Sequence, residues 1–146
     1  GLHMRHIEPI EYGSAEYLET LELRNRVMRI PLGLDIHKED FSCERESAII
    51  GAFDGGQLLG MGVMSHKGVH KVEYLCVDFD LQGSGIGGEL LDRLEAMAAE
   101  QGGKKMYLDA RVTAQPFYTR RGYETTSEVF IMECAPVPHV AMEKPL

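Results

Sequence analysis

The sequence predicts a single α/β domain in which a mixed, mostly antiparallel central sheet is flanked by helices. The chain has 146 residues, enough to enclose one hydrophobic core but too few for two ordinary ones. Strand-like and helix-like patterns alternate along it, and three successive strand patterns are separated only by short turns. We therefore expect one domain over residues 4–146, and we interpret residues 1–3, which precede Met4, as a cloning remnant.

The chain opens with a strand and a capped helix. "MRHIEPI" has a strand pattern, and Ser14 stands where a helix N-cap is expected, before "AEYLETLELRNRVMR". The apolar spacing stays roughly helical until Pro31. The following segment, residues 31–47, has no clear period, and we expect a loop or short helix that borders a substrate entrance.

The middle of the chain predicts an antiparallel meander. "AIIGAF" and "QLLGMGVMS" flank Asp54, Gly55 and Gly56, and the glycines favour a hairpin turn. A second turn, "KGVH", leads into the third strand, "KVEYLCV".

The second half alternates helices with strands. "GGELLDRLEAMAAEQ" places its leucines on one face and is followed by Gly102, which is typical of a helix C-terminus. The strand "KKMYLDA" comes next, and then a short helix around "AQPFYTRR" that ends at Gly122. "YETTSEV", "FIMEC" and "HVAMEK" supply the last predicted strands.

Composition excludes several classes of function. The net charge of −8 argues against a nucleic-acid partner, and no apolar run approaches the length of a membrane span. The three cysteines, Cys43, Cys76 and Cys134, form neither a CxxC pair nor a metal-ligand pattern, which favours a cytoplasmic protein with free thiols. His66 and His70 lie across a predicted turn rather than on one helical face, so we expect no metal.

A glycine-rich segment, residues 82–88, lies between a predicted strand and a predicted helix. Gly83, Gly85 and Gly88 match GxGxxG, and Asp109 stands where a ribose-binding acid is expected, so an NAD(P)-binding protein is one alternative. Two observations count against it. Five residues separate the strand from the first glycine, and the preceding strands predict a meander rather than parallel βα units.

The same segment resembles a different signature. "QGSGIG" is similar to the Q/R-x-x-G-x-G/A motif of the GCN5-related N-acetyltransferases (GNAT), and "AQPFYTRRGYE" resembles that family's A-x-x-F-Y-x-x-x-G-F/Y segment. "LRNRVMRIPLG" and "PHVAMEK" resemble its first helix and last strand, so the resemblance covers residues 4 to 144. It implies the GNAT fold and an acetyl-CoA-dependent N-acetyltransferase.

The first amides of a helix lack intrahelical partners, and glycine lets a diphosphate approach them closely. The resemblance adds a strand bulge that frees backbone groups, here those of Cys76 and Val77, and arginines that meet phosphates. The cofactor-binding residues it implies are Cys76, Val77, Gln82, Gly83, Ser84, Gly85, Ile86, Gly87, Gly88, Arg111, Phe117, Tyr118 and Arg120.

The resemblance also implies a direct attack of a substrate amine on the thioester, within a ternary complex. Tyr118 matches the tyrosine that protonates the leaving thiolate, and Glu73 is the candidate base. A water chain could replace Glu73, which could instead be a solvated carboxylate beside Lys71. Cys76 as an acetyl-accepting nucleophile is weakly supported, because no histidine is identifiable as its partner.

One position departs from the family pattern. Arg111 stands where many relatives have asparagine, and we expect it to reach a CoA phosphate or to pair with Asp109 or Glu133. Arg120 and Arg121 are expected either near the 3′-phosphate of the cofactor or as solvated arginines on the helix surface.

The acceptor is predicted more coarsely. Five acids in the irregular segment favour a cationic amine, either a small molecule or a protein lysine or N-terminus; they are Asp35, Glu39, Asp40, Glu44 and Glu46. A homodimer is a common outcome for the family. The alternative from another class is a catalytically silent domain that senses acyl-CoA and binds a partner.

Overall fold

The computed structural model describes residues 5–146. The interpretation of residues 1–3 and the predicted start of the domain at Met4 therefore lie outside the described residues. Strands and helices alternate along the described chain as predicted. Their order is β1 (Arg5–Pro9), α1 (Ala15–Arg24), β2 (Ala48–Asp54), β3 (Gln57–Ser65), β4 (His70–Val77), α2 (Ile86–Glu100), β5 (Lys105–Arg111), α3 (Gln115–Arg120), β6 (Glu124–Thr125), β7 (Phe130–Ile131) and β8 (Pro138–Pro145).

The strands form one mixed sheet in the order β1-β2-β3-β4-β5-β8-β6, with β7 also paired to β8. β4 and β5 are parallel, and the other described pairs are antiparallel. This confirms the mostly antiparallel sheet and the meander. The NAD(P)-binding alternative is wrong, because a dinucleotide fold needs a series of parallel βα units and this sheet has a single parallel pair among residues 5–146.

The first helix begins at the predicted cap. Ser14 Oγ accepts a hydrogen bond of 3.1 Å from the Tyr17 N–H. Beyond α1 the helical path continues through a wider π-helical turn, Asn25–Arg29, and a tighter 3₁₀ turn, Ile30–Leu32. It ends at Gly33, whose φ of +74° is left-handed.

The last strands are shorter than predicted. β6 and β7 have two residues each and pair with different parts of β8. Between them Ser127 turns out of the ladder, and its Oγ accepts the Ala141 N–H at 2.8 Å. A side chain has replaced a backbone partner there, which interrupts the strand.

Two apolar layers enclose the sheet. α1 packs on one face and α2 with α3 on the other. Successive residues of β2 point to opposite layers, as Ile49 and Ile50 show. Gly60 and Gly62 of β3 let α2 approach closely, because an added Cβ would lie 3.2 Å from Leu90 Cδ1 and 3.0 Å from Leu94 Cδ1, respectively. Within residues 5–146, no helix has the length and apolarity to span a bilayer.

Candidate active site

The site begins where the two parallel strands separate. The β4–β5 register ends at Val72 opposite Leu108. β4 nevertheless continues to Val77 and β5 to Arg111. A wedge-shaped gap therefore opens in the middle of the sheet, and backbone groups on its two edges lack strand partners.

A bulge in β4 lies beside this gap. Glu73 is an extra residue opposite β3, between Val72 and Tyr74. A bulge sharpens the local twist of a strand, which helps to turn β4 away from β5. The resemblance placed the bulge at Cys76 and Val77, so that expectation is corrected.

Backbone alternation decides which groups face the gap. The Asp78 N–H donates to the Leu59 carbonyl at 3.0 Å. The backbone of Cys76 therefore points toward β3, and that of Val77 points into the gap. Gln82 Nε2 donates to the Val77 carbonyl at 3.2 Å. The Val77 N–H is left as a donor at the gap.

A cavity of about 600 Å³ runs from the glycine-rich segment to Tyr118. The predicted cofactor-binding residues that line it are Cys76, Val77, Gln82, Gly83, Gly85, Gly87, Gly88, Arg111, Phe117 and Tyr118. The structure therefore brings together residues from β4, α2, β5 and α3 that are up to 42 positions apart, from Cys76 to Tyr118.

Three predicted cofactor residues do not line this cavity. The Ser84 hydroxyl is hydrogen-bonded to the Leu81 carbonyl, and Ile86 is buried in the core with an exposed fraction of 1%. Arg120 borders a shallower neighbouring cavity of about 480 Å³. Arg5 holds the loop from outside, since its Nη2 donates to the Ser84 carbonyl at 3.2 Å.

The helix N-terminus presents free donors to the large cavity. α2 begins after Gly85, which has a φ of +91°, and a bond of 3.1 Å joins the Glu89 N–H to the Gly85 carbonyl. The amides of Ile86, Gly87 and Gly88 consequently precede the first helical bond and have no intrahelical partner. This geometry suits an anionic group.

Arg121, which was expected with Arg120 near a phosphate of the cofactor, lines the large cavity. Its guanidinium lies against Gly88, where an added Cβ would be 1.8 Å from Nη2. Nη1 also pairs with Asp92 at 2.9 Å. The guanidinium carbon lies 5.5 Å from the centre of the Phe117 ring. Arg121 therefore forms one wall of the large cavity.

A second cavity of about 210 Å³ adjoins the first. The residues common to both linings are Met28, Leu75, Arg111, Ala114 and Tyr118. Glu73 lines only the smaller one. The two predicted catalytic residues, Tyr118 and Glu73, therefore reach one space, and Tyr118 lies at the junction.

Burial controls the chemistry of Tyr118. Its side chain is largely buried, and desolvation raises the pKa of its phenol to about 12. Among the described residues its hydroxyl has no hydrogen-bond partner. The phenol is thus a neutral donor at physiological pH that faces the cavities.

Glu73 is more exposed. Its Oε1 accepts a hydrogen bond of 2.9 Å from Ser65 Oγ. Lys71 pairs instead with Asp109, Nζ to Oδ2 at 3.0 Å. Burial opposes the charge of Lys71, but the hydrogen bond to Asp109 and the nearby Glu73 carboxylate raise its pKa. Glu73 lines the small cavity and is bound by Ser65 rather than by Lys71.

Comparison with known proteins agrees with this geometry. The family model described as an acetyltransferase (GNAT) domain matches residues 34–146. The chain belongs to the GNAT acetyltransferase family. It is 36% identical over 102 residues to YjcF of Bacillus subtilis (strain 168), described as an uncharacterized N-acetyltransferase; the match covers 69% of this chain and 72% of YjcF.

Solved structures share the GNAT fold. Escherichia coli ElaA aligns with a TM-score of 0.79 at 20% identity, over 97% of this chain and 99% of ElaA. A GNAT family acetyltransferase from Elizabethkingia anophelis, solved with acetyl-CoA bound, aligns with a TM-score of 0.71 at 15% identity, over 97% of this chain and 98% of that chain. At these identities the likeness shows the fold.

Two arginines of the GNAT domain line the small cavity, Arg29, which is buried, and Arg111, which is partly buried. Arg111 Nη2 donates to the Met28 carbonyl at 3.1 Å. Neither carboxylate expected for it, that of Asp109 or of Glu133, contacts it. Burial, and then the charge of Arg29, lower the pKa of Arg111.

The positive charge of Arg29, by contrast, has a carboxylate partner. Its Nε and Nη2 bind the Glu39 carboxylate at 2.8 and 3.1 Å, and Nη2 also donates to the Tyr74 hydroxyl at 3.0 Å. Sequence reasoning missed Arg29, because its role depends on a partner ten residues away across an irregular loop.

His139 is a second residue that sequence reasoning missed. It lies at the start of β8, is buried and lines the small cavity. Its Nδ1 lies 2.6 Å from the Val137 carbonyl, and a carbonyl can only accept, so Nδ1 carries a proton. When the ring is neutral, Nε2 is therefore an acceptor. The sequence signal for His139 is its place in the "PHVAMEK" segment, which resembles the last strand of the family. In the structure this histidine pairs with Arg111 across β5 and β8.

The five acids of the irregular segment do not line either cavity of the GNAT domain. Glu44 is the clearest case, because it is buried and binds Arg24 Nη1 at 2.7 Å and the Tyr17 hydroxyl at 2.7 Å. The other four have partners at Arg29, His37, Ser42 and Lys67. The expectation that these acids border the acceptor cleft is wrong, since they hold the segment together.

Cys76 lies in an environment that does not favour a nucleophilic role. It is buried, and desolvation raises the pKa of its thiol to about 12, so the thiolate does not form near neutrality. Asp78, in the loop after β4, pairs with Arg26 at 2.6 Å. Among residues 5–146, no cluster of acids, histidines and cysteines could hold a metal ion.

Proposed function

We propose that this GNAT domain transfers the acetyl group of acetyl-CoA to a primary amine by direct attack in a ternary complex. The observation that carries the proposal is the pair of joined cavities. The large one leads from unpaired amides at the start of α2 to Tyr118, and the small one opens at the same tyrosine. One cavity fits an extended nucleotide cofactor, and the other fits the acceptor.

In this proposal the N-terminus of α2 binds the cofactor. Its diphosphate would meet the amides of Gly87 and Gly88, and the helix macrodipole adds about 0.3–1 kcal/mol per favourably placed negative group. The acyl end would then reach the gap between β4 and β5, where the Val77 N–H can donate to the thioester carbonyl. The acetyl-CoA bound to the Elizabethkingia anophelis neighbour supports this choice of cofactor.

The transfer uses two side chains. The neutral amine nitrogen attacks the thioester carbon, so that a C–N bond forms and the C–S bond breaks. The leaving thiolate takes the proton of the Tyr118 hydroxyl, and the proton that Glu73 accepts returns through water to the Tyr118 oxygen. The Glu73 carboxylate, directly or through a water chain, accepts the proton lost by the amine. The products are an N-acetylated amine and free CoA.

The acceptor is a small-molecule amine or a protein amine, a lysine side chain or an N-terminus. It approaches through the small cavity. A homodimer is part of the proposal, and light scattering coupled to size-exclusion chromatography tests it.

Calorimetry with acetyl-CoA, followed by a thiol-release assay with an amine panel, tests the function. We expect binding and amine-dependent release of free CoA. A folded protein that shows no heat of association with CoA contradicts the proposal. Tight CoA binding without release for any amine supports the silent acyl-CoA sensor instead.

A further inference from the structure

The small cavity contains a positive charge without a carboxylate partner. Its charged lining residues are Arg29, Lys71, Glu73, Asp109 and Arg111. Lys71 pairs with Asp109, and Arg29 with Glu39, but Arg111 contacts no acid among the described residues. Arg111 is partly buried, and burying part of a guanidinium without a counter-ion is unfavourable, so we expect an anion to complete the site.

The buried part of Arg111 also has an unused donor. Its Nε is buried and has no hydrogen-bond partner among residues 5–146. Nη2 is occupied by a single backbone carbonyl, that of Met28. A planar guanidinium with free donors is suited to bidentate binding of a carboxylate. Within the described chain, Glu39 binds only Arg29, through Nε and Nη2, so it does not compensate the charge of the nearby Arg111.

The proposed cofactor does not supply this anion. Its phosphates belong at the start of α2, around Gly87, whereas Arg111 lies with Tyr118 at the junction of the cavities. The part of acetyl-CoA that reaches the junction, the thioester, has no permanent charge. A lasting negative charge beside Arg111 must therefore come from the acceptor.

Other lining groups suit the amine of the same molecule. The Glu73 carboxylate and the Nε2 acceptor of a neutral His139 both line the small cavity. The cavity thus combines a donor-rich side, at Arg111, with groups that accept hydrogen bonds from an amine. Such a combination complements a molecule that carries both an amine and a carboxylate.

We propose that the acceptor is a small amino carboxylate whose carboxylate binds Arg111 while its amine is directed to the thioester beside Tyr118. This inference rests on the proposed acetyl transfer and narrows its substrate. It also replaces a purely cationic acceptor, which the acids of the irregular segment do not support.

Size-matched acceptors test the inference. Free amino acids, including β-alanine, are compared with their amides, which keep the amine but lose the carboxylate charge, and with spermidine. We expect the best amino acid to exceed its amide by about tenfold or more in kcat/KM, as one charge-assisted contact provides. Arg111→Gln should remove that preference mainly through KM, and Arg111→Lys should retain part of it. Arg93→Gln, an exposed arginine on α2, is the control and should keep the preference.

Three outcomes overturn the inference. A preference for amides or spermidine in the native protein is one. An Arg111→Gln variant that loses kcat equally with all acceptors would place Arg111 at the thioester oxyanion, and one that loses CoA affinity would place it at the cofactor. If Arg111→Gln does not fold, the kcat/KM preference of Arg111→Lys for an amino acid over its amide is the deciding measurement.

The order of measurements separates this inference from the proposed function. CoA binding is measured first, and its absence rejects the acetyltransferase. If CoA binds but no amine is acetylated, calorimetry of the CoA-loaded protein with the amino acid panel decides. No association then overturns the amino carboxylate, and association lost in Arg111→Gln supports it.

Discussion

At the scale of single residues, the environment of a side chain sets its chemistry. Tyr118 and Tyr123 are buried neighbours whose ring centres lie 5.7 Å apart. The Tyr123 hydroxyl donates to Glu95 at 2.8 Å. The Tyr118 hydroxyl has no such partner among the described residues, so it can bind a ligand at the junction of the cavities. One tyrosine therefore has a structural partner, and the other is available for proton transfer.

Tyr118→Phe should lower kcat by about 10²-fold, since general acid catalysis typically contributes that much or more. The affinity for acetyl-CoA should change little, because the ring remains. Tyr123→Phe is the matched control, and it should cost about 1 kcal/mol of folding free energy with kcat unchanged. Steady-state kinetics, calorimetry and urea unfolding measure these quantities. Normal turnover by Tyr118→Phe would reject the acid role.

At the scale of elements, the loop before α2 depends on left-handed backbone. Gly85 has a φ of +91°, and its added Cβ would meet only Arg5 Nη2, at 3.7 Å. Strain at this position therefore comes from the backbone and not from crowding. Gly13, in the turn before α1, has a φ of +81° and an open environment.

Gly85→Ala should cost about 1–2 kcal/mol of folding free energy, the usual penalty for left-handed backbone with a Cβ, and should also weaken acetyl-CoA binding. Gly13→Ala should cost a similar amount with CoA affinity unchanged. Urea unfolding and calorimetry compare the two. Equal CoA affinities for both variants would show that the loop conformation is not needed for binding.

A buried ion pair joins α1 to the irregular segment. Glu44 binds Arg24 with both oxygens, at 2.7 and 2.9 Å, and Arg24 has no measurable exposure. Glu44→Ala should cost about 3–5 kcal/mol, because it leaves Arg24 charged and buried. The double variant Arg24→Met/Glu44→Leu should lose much less. Chemical denaturation measures both, and a single-variant loss below that of the double variant would contradict the assignment.

At the scale of the whole molecule, several buried acids resist ionisation. Burial raises the pKa of Cys76 and of Tyr118 to about 12, from ordinary values of 9.0 and 10.0. Burial, assisted by hydrogen bonds to carboxylates, also raises the pKa of Tyr17 and of Tyr123. The folded protein therefore keeps protons that the unfolded chain releases at alkaline pH.

The free energy of unfolding should be constant from pH 7 to about pH 8.5, and it should decrease as the pH rises from 9 toward 12. Each such group contributes a slope of about 1.4 kcal/mol per pH unit above its unfolded pKa. Urea unfolding at stepped pH measures the loss. Cys76→Ala should flatten the curve between pH 9 and 10. Unchanged stability at pH 11 would contradict the prediction.

Much of the fold and of the lining of the large cavity was predictable from local patterns. Left-handed backbone favours glycine, so the conformation at Gly83 and Gly85 leaves a local signal in the sequence. The segment around Tyr118 was likewise found from the spacing of residues within one short stretch. The helix start that exposes free amides is likewise a local feature. Patterns of this kind are visible in the linear sequence, and they are the reason that the GNAT resemblance could be recognised from the sequence.

The order of strands and helices and the start of α2 at a glycine-rich segment were predictable from the linear sequence. Only the tertiary structure decided the lining of the small cavity. It paired Glu44 with Arg24, left Arg111 without an acid and brought His139 to the small cavity. The physical reason is that charge compensation depends on distances between residues far apart in the chain, which composition and spacing do not specify.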